Sequence, residues 1–260
     1  GICTEEGSVT AAFLEEAAQC AKKEGMSHVE LRQETPLNAG LPYKTAKVSM
    51  RLALPANSDE LFKTFDAKLR SQVRRPTKDG MISTLGKLDA LDHFYTVFSE
   101  NMRDLGTPVY PKVFFKNILE TFPDTSWICT VYQGALPVAS GFLIGFRETL
   151  EIPWASSLKA YNRSSPNMLL YWAALELACE RGYRVFDFGR STPGEGTYKF
   201  KEQWGAKAFP LYWHYWMKNE GKLPELNPKN PKYAAAIHLW KKLPIGLTKL
   251  IGPSIVRNLP

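Results

Sequence analysis

The apolar positions of this chain switch between a period near 3.6 and a period of two, and the switches predict its elements. Residues 8–24 read as an amphipathic helix. Ser8 is its cap, Phe13, Leu14, Ala17, Cys20 and Ala21 form its apolar face, and Gly25 ends it. Residues 28–32 are a short strand. Residues 33–44 hold Pro36, Gly40 and Pro42 and read as an exposed linker. Beyond it Val48, Met50, Leu52 and Leu54 alternate with other residues, which marks a half-buried antiparallel strand over 47–54. A helix capped by Ser58 runs to about Arg75, where Pro76 and Gly80 stop it, and 81–87 is another strand. Helices over 89–105 and 111–122 are joined by the turn Thr107-Pro-Val-Tyr110. Strands over 127–133 and 136–147 flank the hairpin signal Gln133-Gly134-Ala135, and a third covers 149–157. After a loop at 158–165, Pro166 opens a helix whose Met168, Leu169, Trp172, Leu175 and Cys179 make it mostly buried. A strongly aromatic strand at 209–216, a loop at 224–231 and a helix at 233–242 lead to an apolar, basic tail.

Residues 183–206 organise the rest. Val185, Phe186 and Phe188 are strand formers, and Gly189 is expected to close that strand. Arg190 to Gly196 reads as a loop, broken by Pro193, Gly194 and Gly196. Thr197 then caps a short exposed helix through Trp204, with Gly205 as its stop. The strand would deliver Asp187 and Arg190 to a rim. The helix would bring Tyr198, backbone donors and the Lys199 and Lys201 ammonium groups to one spot, suited to a carboxylate, phosphate or oxyanion. The plainer alternative is a basic surface turn. Arg70 and Arg74, four apart on one helix face, are either solvated or a contact for phosphate groups. Trp154 either belongs to a core or stacks on a sugar, and Asp187 reads as a structural acceptor in its turn. Arg190 and Arg163, on loops near the same rim, could hold an anionic acceptor. His214 reads as packing. No Ser-His-Asp or Cys-His set is visible, so no covalent intermediate is expected.

Composition narrows the class. With 260 residues, 44% of them hydrophobic, the chain can form one large domain or two small ones around a real core. No apolar run reads as a transmembrane helix, and no signal peptide is visible in a chain that starts at Gly1. Cys3, Cys20, Cys129 and Cys179 form no CxxC pair. The last three read as reduced core residues of a cytoplasmic protein. The histidines show no ligand spacing, and neither a metal site nor a cofactor is expected. The net charge is +7, and residues 226–260 hold six cations and no acid: Lys229, Lys232, Lys241, Lys242, Lys249 and Arg257. That is a basic tail rather than a whole-surface nucleic-acid binder.

The order of elements implies a sheet with helices on both faces, and the run of hairpin strands, buried helix and strand resembles the core of a GNAT acyltransferase. Gly196-Thr-Tyr-Lys-Phe-Lys201 followed by Trp204-Gly205 resembles the Tyr-x-Phe-Lys-x-x-Phe-Gly signature of the Fem (FemAB/FemX) peptidoglycan aminoacyltransferases, with Trp204 where many members have Phe. The basic helix Leu69-Arg-Ser-Gln-Val-Arg-Arg75 is similar to theirs. Four further words resemble the FemAB-like proteins associated with PEP-CTERM/exosortase and exopolysaccharide systems. They are Asn101-Met-Arg-Asp-Leu-Gly-Thr-Pro-Val-Tyr-Pro111, Pro153-Trp-Ala-Ser-Ser157, Pro166-Asn-Met-Leu-Leu-Tyr-Trp172 and Phe186-Asp-Phe-Gly-Arg-Ser-Thr-Pro193.

The resemblance implies an α/β (α+β) GNAT-like fold with a mixed, mostly antiparallel sheet. It implies part of a first GNAT-like domain plus linker over 1–45, the acyltransferase domain over 46–222 and the tail over 223–260. The activity implied is acyl or aminoacyl transfer to an amine of a cell-envelope glycan or peptidoglycan-type precursor. Carried over by motif, Lys201 resembles the lysine that stabilises charge at the reacting ester, and Phe200 the residue that packs on the donor's terminal nucleotide. Phe200 and Trp204 are four apart, so core packing stays open for both. Tyr198, Arg190, Asp187, Trp154, Arg163, Asn167, Arg70 and Arg74 complete the candidate donor- and acceptor-binding set. The partners implied are an activated acyl donor, aminoacyl-tRNA among the options, and an envelope glycan or lipid-linked precursor. A coenzyme-A-using GNAT carries a glycine-containing loop before its buried helix. Here that loop is Leu158-Lys-Ala-Tyr-Asn-Arg-Ser-Ser-Pro-Asn167, without glycine, which disfavours acetyl-CoA. The alternative is a non-catalytic envelope or exopolysaccharide assembly protein that binds glycan. Either way the expected location is cytoplasmic, with the tail as a peripheral contact on the inner face of the membrane.

Overall fold

The computed structural model describes residues 1–4, 6–219, 222–224 and 231–257, with the backbone alone for 231–233. In chain order its elements are α1 (Gly7–Lys23), β1 (His28–Gln33), β2 (Tyr43–Ala53), α2 (Ser58–Thr64), α3 (Ala67–Lys78), β3 (Met81–Gly86), α4 (Leu91–Leu105), α5 (Lys112–Thr121), β4 (Ser126–Gln133), β5 (Leu136–Phe146), β6 (Thr149–Ser157), α6 (Pro166–Glu180), β7 (Val185–Ser191), α7 (Gly196–Glu202), β8 (Lys207–Met217), α8 (Pro231–Trp240) and α9 (Ile245–Val256). The architecture is mixed α/β with mostly antiparallel strand pairing, as expected. The chain folds into two compact units.

The first unit comprises Gly1–Arg51, Arg190–Glu202 and Ala206–Asn227. Its strands run β1-β8-β2, with β8 in the middle and antiparallel to both neighbours. Only His214 and Tyr215 of β8 are buried, and Phe209 near its start is exposed. Tyr215 is buried and donates its hydroxyl to Glu30 Oε2 at 2.7 Å. His214 is fully buried, and its Nε2 accepts the Leu37 N–H at 3.0 Å, which ties down the segment expected to be an exposed linker. α1 departs from expectation. Its cap position is Glu6 with no side-chain bond, Phe13 and Cys20 are exposed, and Ala21 alone is buried. The helix packs on β1, whose residues are all only half-buried, so no deep apolar surface awaits that face.

The second unit comprises Leu52–Gly189, Gln203–Gly205 and Pro228–Pro260. Its strand order is β7-β6-β5-β4-β3. β6 and β7 pair in parallel and the rest antiparallel. The predicted hairpin joins β4 to β5, with Gly134 at φ 61. α4 packs on β5 and β6, and α6 packs against β3, β4, β5 and β6. Phe94, Phe98, Phe115 and Phe142 form a buried aromatic core beneath α4. The helix expected to be continuous from Ser58 is two helices. Asn57 caps α2 by accepting the Glu60 N–H at 2.9 Å, and Asp66 caps α3 by accepting the Leu69 N–H at 2.6 Å. Two cap residues in one basic stretch break it more strongly than its helical spacing joins it. Pro76 lies inside α3 instead of ending it.

Candidate functional site

The strand expected to stop at Gly189 runs on to Ser191. Gly189 sits at φ 76, and Asp187 Oδ1 accepts its N–H at 2.7 Å. A glycine in that left-handed conformation bends a strand without ending it. Arg190 and Ser191 therefore leave β7 as strand residues, and the turn 192–195 carries the chain into α7. Together with Lys47 of β2 they enclose a recess of about 320 Å³, lined also by Thr192, Glu195 and Thr197. All of these belong to the first unit. Lys47 Nζ donates to Thr192 Oγ1 at 2.6 Å. The Arg190 guanidinium lies over the Trp213 ring at 5.8 Å, which holds an otherwise exposed cation in place. Ser191 is 4% exposed, and its hydroxyl oxygen has no hydrogen-bond partner among the described residues. Two cations, one carboxylate and three hydroxyls around one recess suit an anionic, hydroxyl-bearing ligand.

α7 corrects the expected geometry of the motif. It begins at Gly196 and ends at Glu202, so at seven residues it is too short to present an anion-binding N-terminus. Lys199 and Lys201 do not face one spot. Two positions along a helix are about 200° apart, and accordingly Lys199 is exposed while Lys201 is only 7% exposed. Lys201 is not the surface lysine expected. Its Nζ donates to the Arg190 carbonyl at 2.9 Å, so the motif lysine braces the strand end that walls the recess. Tyr198 and Phe200 are half-buried on the same helix. Trp204, beyond the helix end and in the second unit, is a core residue packed near Phe65, Tyr171 and Phe188.

The remaining candidates belong to the second unit. Arg70 donates through Nη1 to the Phe65 carbonyl at 3.0 Å, and Arg74 lies over the Phe62 ring at 4.9 Å. Trp154 is half-buried and meets Tyr110, Phe114, Phe115 and Phe142 edge-on. Four such contacts favour its packing role. Arg163 is exposed and Asn167 half-buried. Lys47, Ser191, Thr192 and Glu195 were not singled out by sequence, and Thr197 was read only as a helix cap, whereas α7 already begins at Gly196. The alternation around Val48 and Met50 puts Lys47 on the polar side of β2, but alternation cannot say which polar residue borders a recess. Among the described residues no three of His, Cys, Asp and Glu gather closely enough to hold a metal ion.

A coenzyme A pyrophosphate would need free backbone N–H groups in front of α6. Residues Lys159–Ser164 form a tight 3-10 turn there, and Ser165 adopts φ 53. Pro166 has no N–H, and the Met168 N–H already donates to the Ser165 carbonyl at 2.9 Å. Neither Pro166 nor the bonded Met168 N–H offers a donor to that group, which disfavours it.

Comparison with known proteins agrees with this architecture. The model of the acetyltransferase (GNAT) domain family matches residues 63–202, more than half of the chain. The chain belongs to that family and is an acyltransferase. Among solved structures it is similar to FemX, with TM-score 0.61, 14% identity, 80% of this chain and 77% of that chain covered. It is equally similar to the C-terminal domain of a putative lysylphosphatidylglycerol synthetase from Agrobacterium fabrum, with TM-score 0.61, 14% identity and coverage of 94% and 77%. L-PGS from Bacillus licheniformis matches with TM-score 0.60, 16% identity and coverage of 92% and 77%. At these identities the likeness is one of fold. Comparison with curated protein sequences gave no match.

Proposed function

We propose that this acyltransferase moves an acyl or aminoacyl group from an activated ester or thioester onto an amine of a cell-envelope glycan or peptidoglycan-type precursor. The observation that carries the proposal is Lys201, the lysine of the Tyr198-x-Phe-Lys201 motif, buried and bonded to the strand end that walls the recess. Support also comes from family membership and from the likeness in fold to FemX and to the putative lysylphosphatidylglycerol synthetase domain. The resemblance to exosortase-associated FemAB-like proteins adds exopolysaccharide amines to the proposed acceptors.

In this reading the acceptor amine attacks the donor carbonyl carbon directly and a C–N bond forms. The C–O or C–S bond then breaks, its electron pair leaves with the donor group, and the ammonium proton passes to that leaving group. Negative charge builds on the carbonyl oxygen in between. A cation fixed in a poorly solvated place stabilises such charge without reorganising, and Lys201 is proposed to be that cation. The recess, with Lys47, Arg190 and Ser191, is proposed to hold the anionic part of a substrate. Intact-mass analysis of acceptors incubated with aminoacyl-tRNA, acyl-CoA and acyl-carrier-protein donors tests the reading. It expects a mass gain on an envelope amine from a donor other than acyl-CoA. Transfer from acyl-CoA to a small soluble amine alone would replace it.

A further inference from the structure

The apolar, basic tail suspected from the sequence is partly docked. α9 turns Thr248, Gly252 and Val256, four apart, inward, and it packs on α4. Gly252 makes close contact with the Val109 backbone, where an added Cβ would lie 3.0 Å from Val109 N. The opposite face of α9 carries leucines beside the exposed Ser254. Leu247 and Leu250, three apart, are exposed there, Leu250 at 75%. On α8, Leu239 is 64% exposed. Lys241 and Lys242 are exposed in the turn between the two helices, and Arg257 is exposed beyond α9. Residues 226–260 contain no acid, so the charges carried by α8, α9 and the turn between them have one sign. Lys229 lies outside the described residues, as does the side chain of Lys232.

From this we infer that the outward face of α9, with Leu239 and the 241–242 lysines, is a docking surface for an anionic lipid bilayer. Leucines on one helix face can enter the headgroup boundary, while lysines beside them stay with anionic headgroups. A second copy of the chain is disfavoured as occupant, because self-pairing would set Lys241 and Lys242 against the same cations. Among the described residues no helix is long and apolar enough to cross a membrane.

Co-sedimentation of the full chain with vesicles of phosphatidylglycerol and phosphatidylcholine in equal parts, against phosphatidylcholine alone, tests this. Binding is expected to the anionic vesicles only, and to weaken as salt is raised. Leu250→Glu should abolish it without moving the melting temperature, since that side chain is exposed. Each of Lys241→Gln and Lys242→Gln should weaken it about fivefold. Absence of binding, equal binding by Leu250→Glu, or a wild-type dimer that Leu250→Glu disperses would each overturn the inference. No turnover is read, so such a result leaves the acyl-transfer proposal standing.

Discussion

Lys201 carries both a structural and a chemical prediction. Removing its ammonium leaves the Arg190 carbonyl without that donor. A hydrogen bond from a charged donor is worth about 1.5–3 kcal/mol, so Lys201→Met should lower the melting temperature visibly. An exposed lysine would have moved it by no more than about 0.5 kcal/mol, the outcome expected from sequence alone. Lys199→Met is the control: Lys199 is exposed on the same short helix, and its variant should melt and turn over like wild type. Thermal unfolding of the two variants reads this asymmetry directly. The motif itself was legible, because Tyr198, Phe200 and Lys201 have a recognisable spacing. The direction of each lysine was not, because it depends on where Gly189 lets β7 continue.

Two helices make predictions at the next scale. Glu176 lies on α6, where burial pushes its carboxyl above the ordinary range, against a Trp172 hydrogen bond that lowers it, and Glu180 and Asp59 raise it further. A carboxyl raised in the folded state contributes stability that is full below its unfolded pKa and is lost as pH rises through the raised value. Glu176→Gln should therefore melt higher than wild type at neutral pH and match it in acid, as paired melting curves across that window would show. On α9, Gly252→Ala would force a Cβ against the Val109 backbone. Overpacking of this kind costs about 1–3 kcal/mol, and denaturant titration should show the loss. Periodicity read most elements correctly, including the mostly buried α6 and the 133–135 hairpin. It erred where short-range polar bonds decide. Asn57 and Asp66 split one predicted helix into two, and the Asp187–Gly189 bond turned a predicted strand end into a bend. It also erred at α1, where an apolar face found too little partner surface to bury Phe13 and Cys20.

At the scale of the molecule, the acyltransferase class rests on the GNAT-domain match, and the fold agrees with it. What the sequence left open was the recess. Lys47 and the residues 190–197 are far apart in the chain, and it is the fold of the first unit, with β7 extended to Ser191, that gathers them. The central claim is that Lys201 stabilises charge in the transfer step. The most direct measurement is the single-turnover rate of acyl transfer under saturating donor, for wild type, Lys201→Met and Lys201→Arg, at a temperature where all three are folded. A loss of roughly two to three decades is expected for Lys201→Met, with part of the rate restored by Lys201→Arg and donor affinity little changed. A folded Lys201→Met that transfers at the wild-type rate would contradict it.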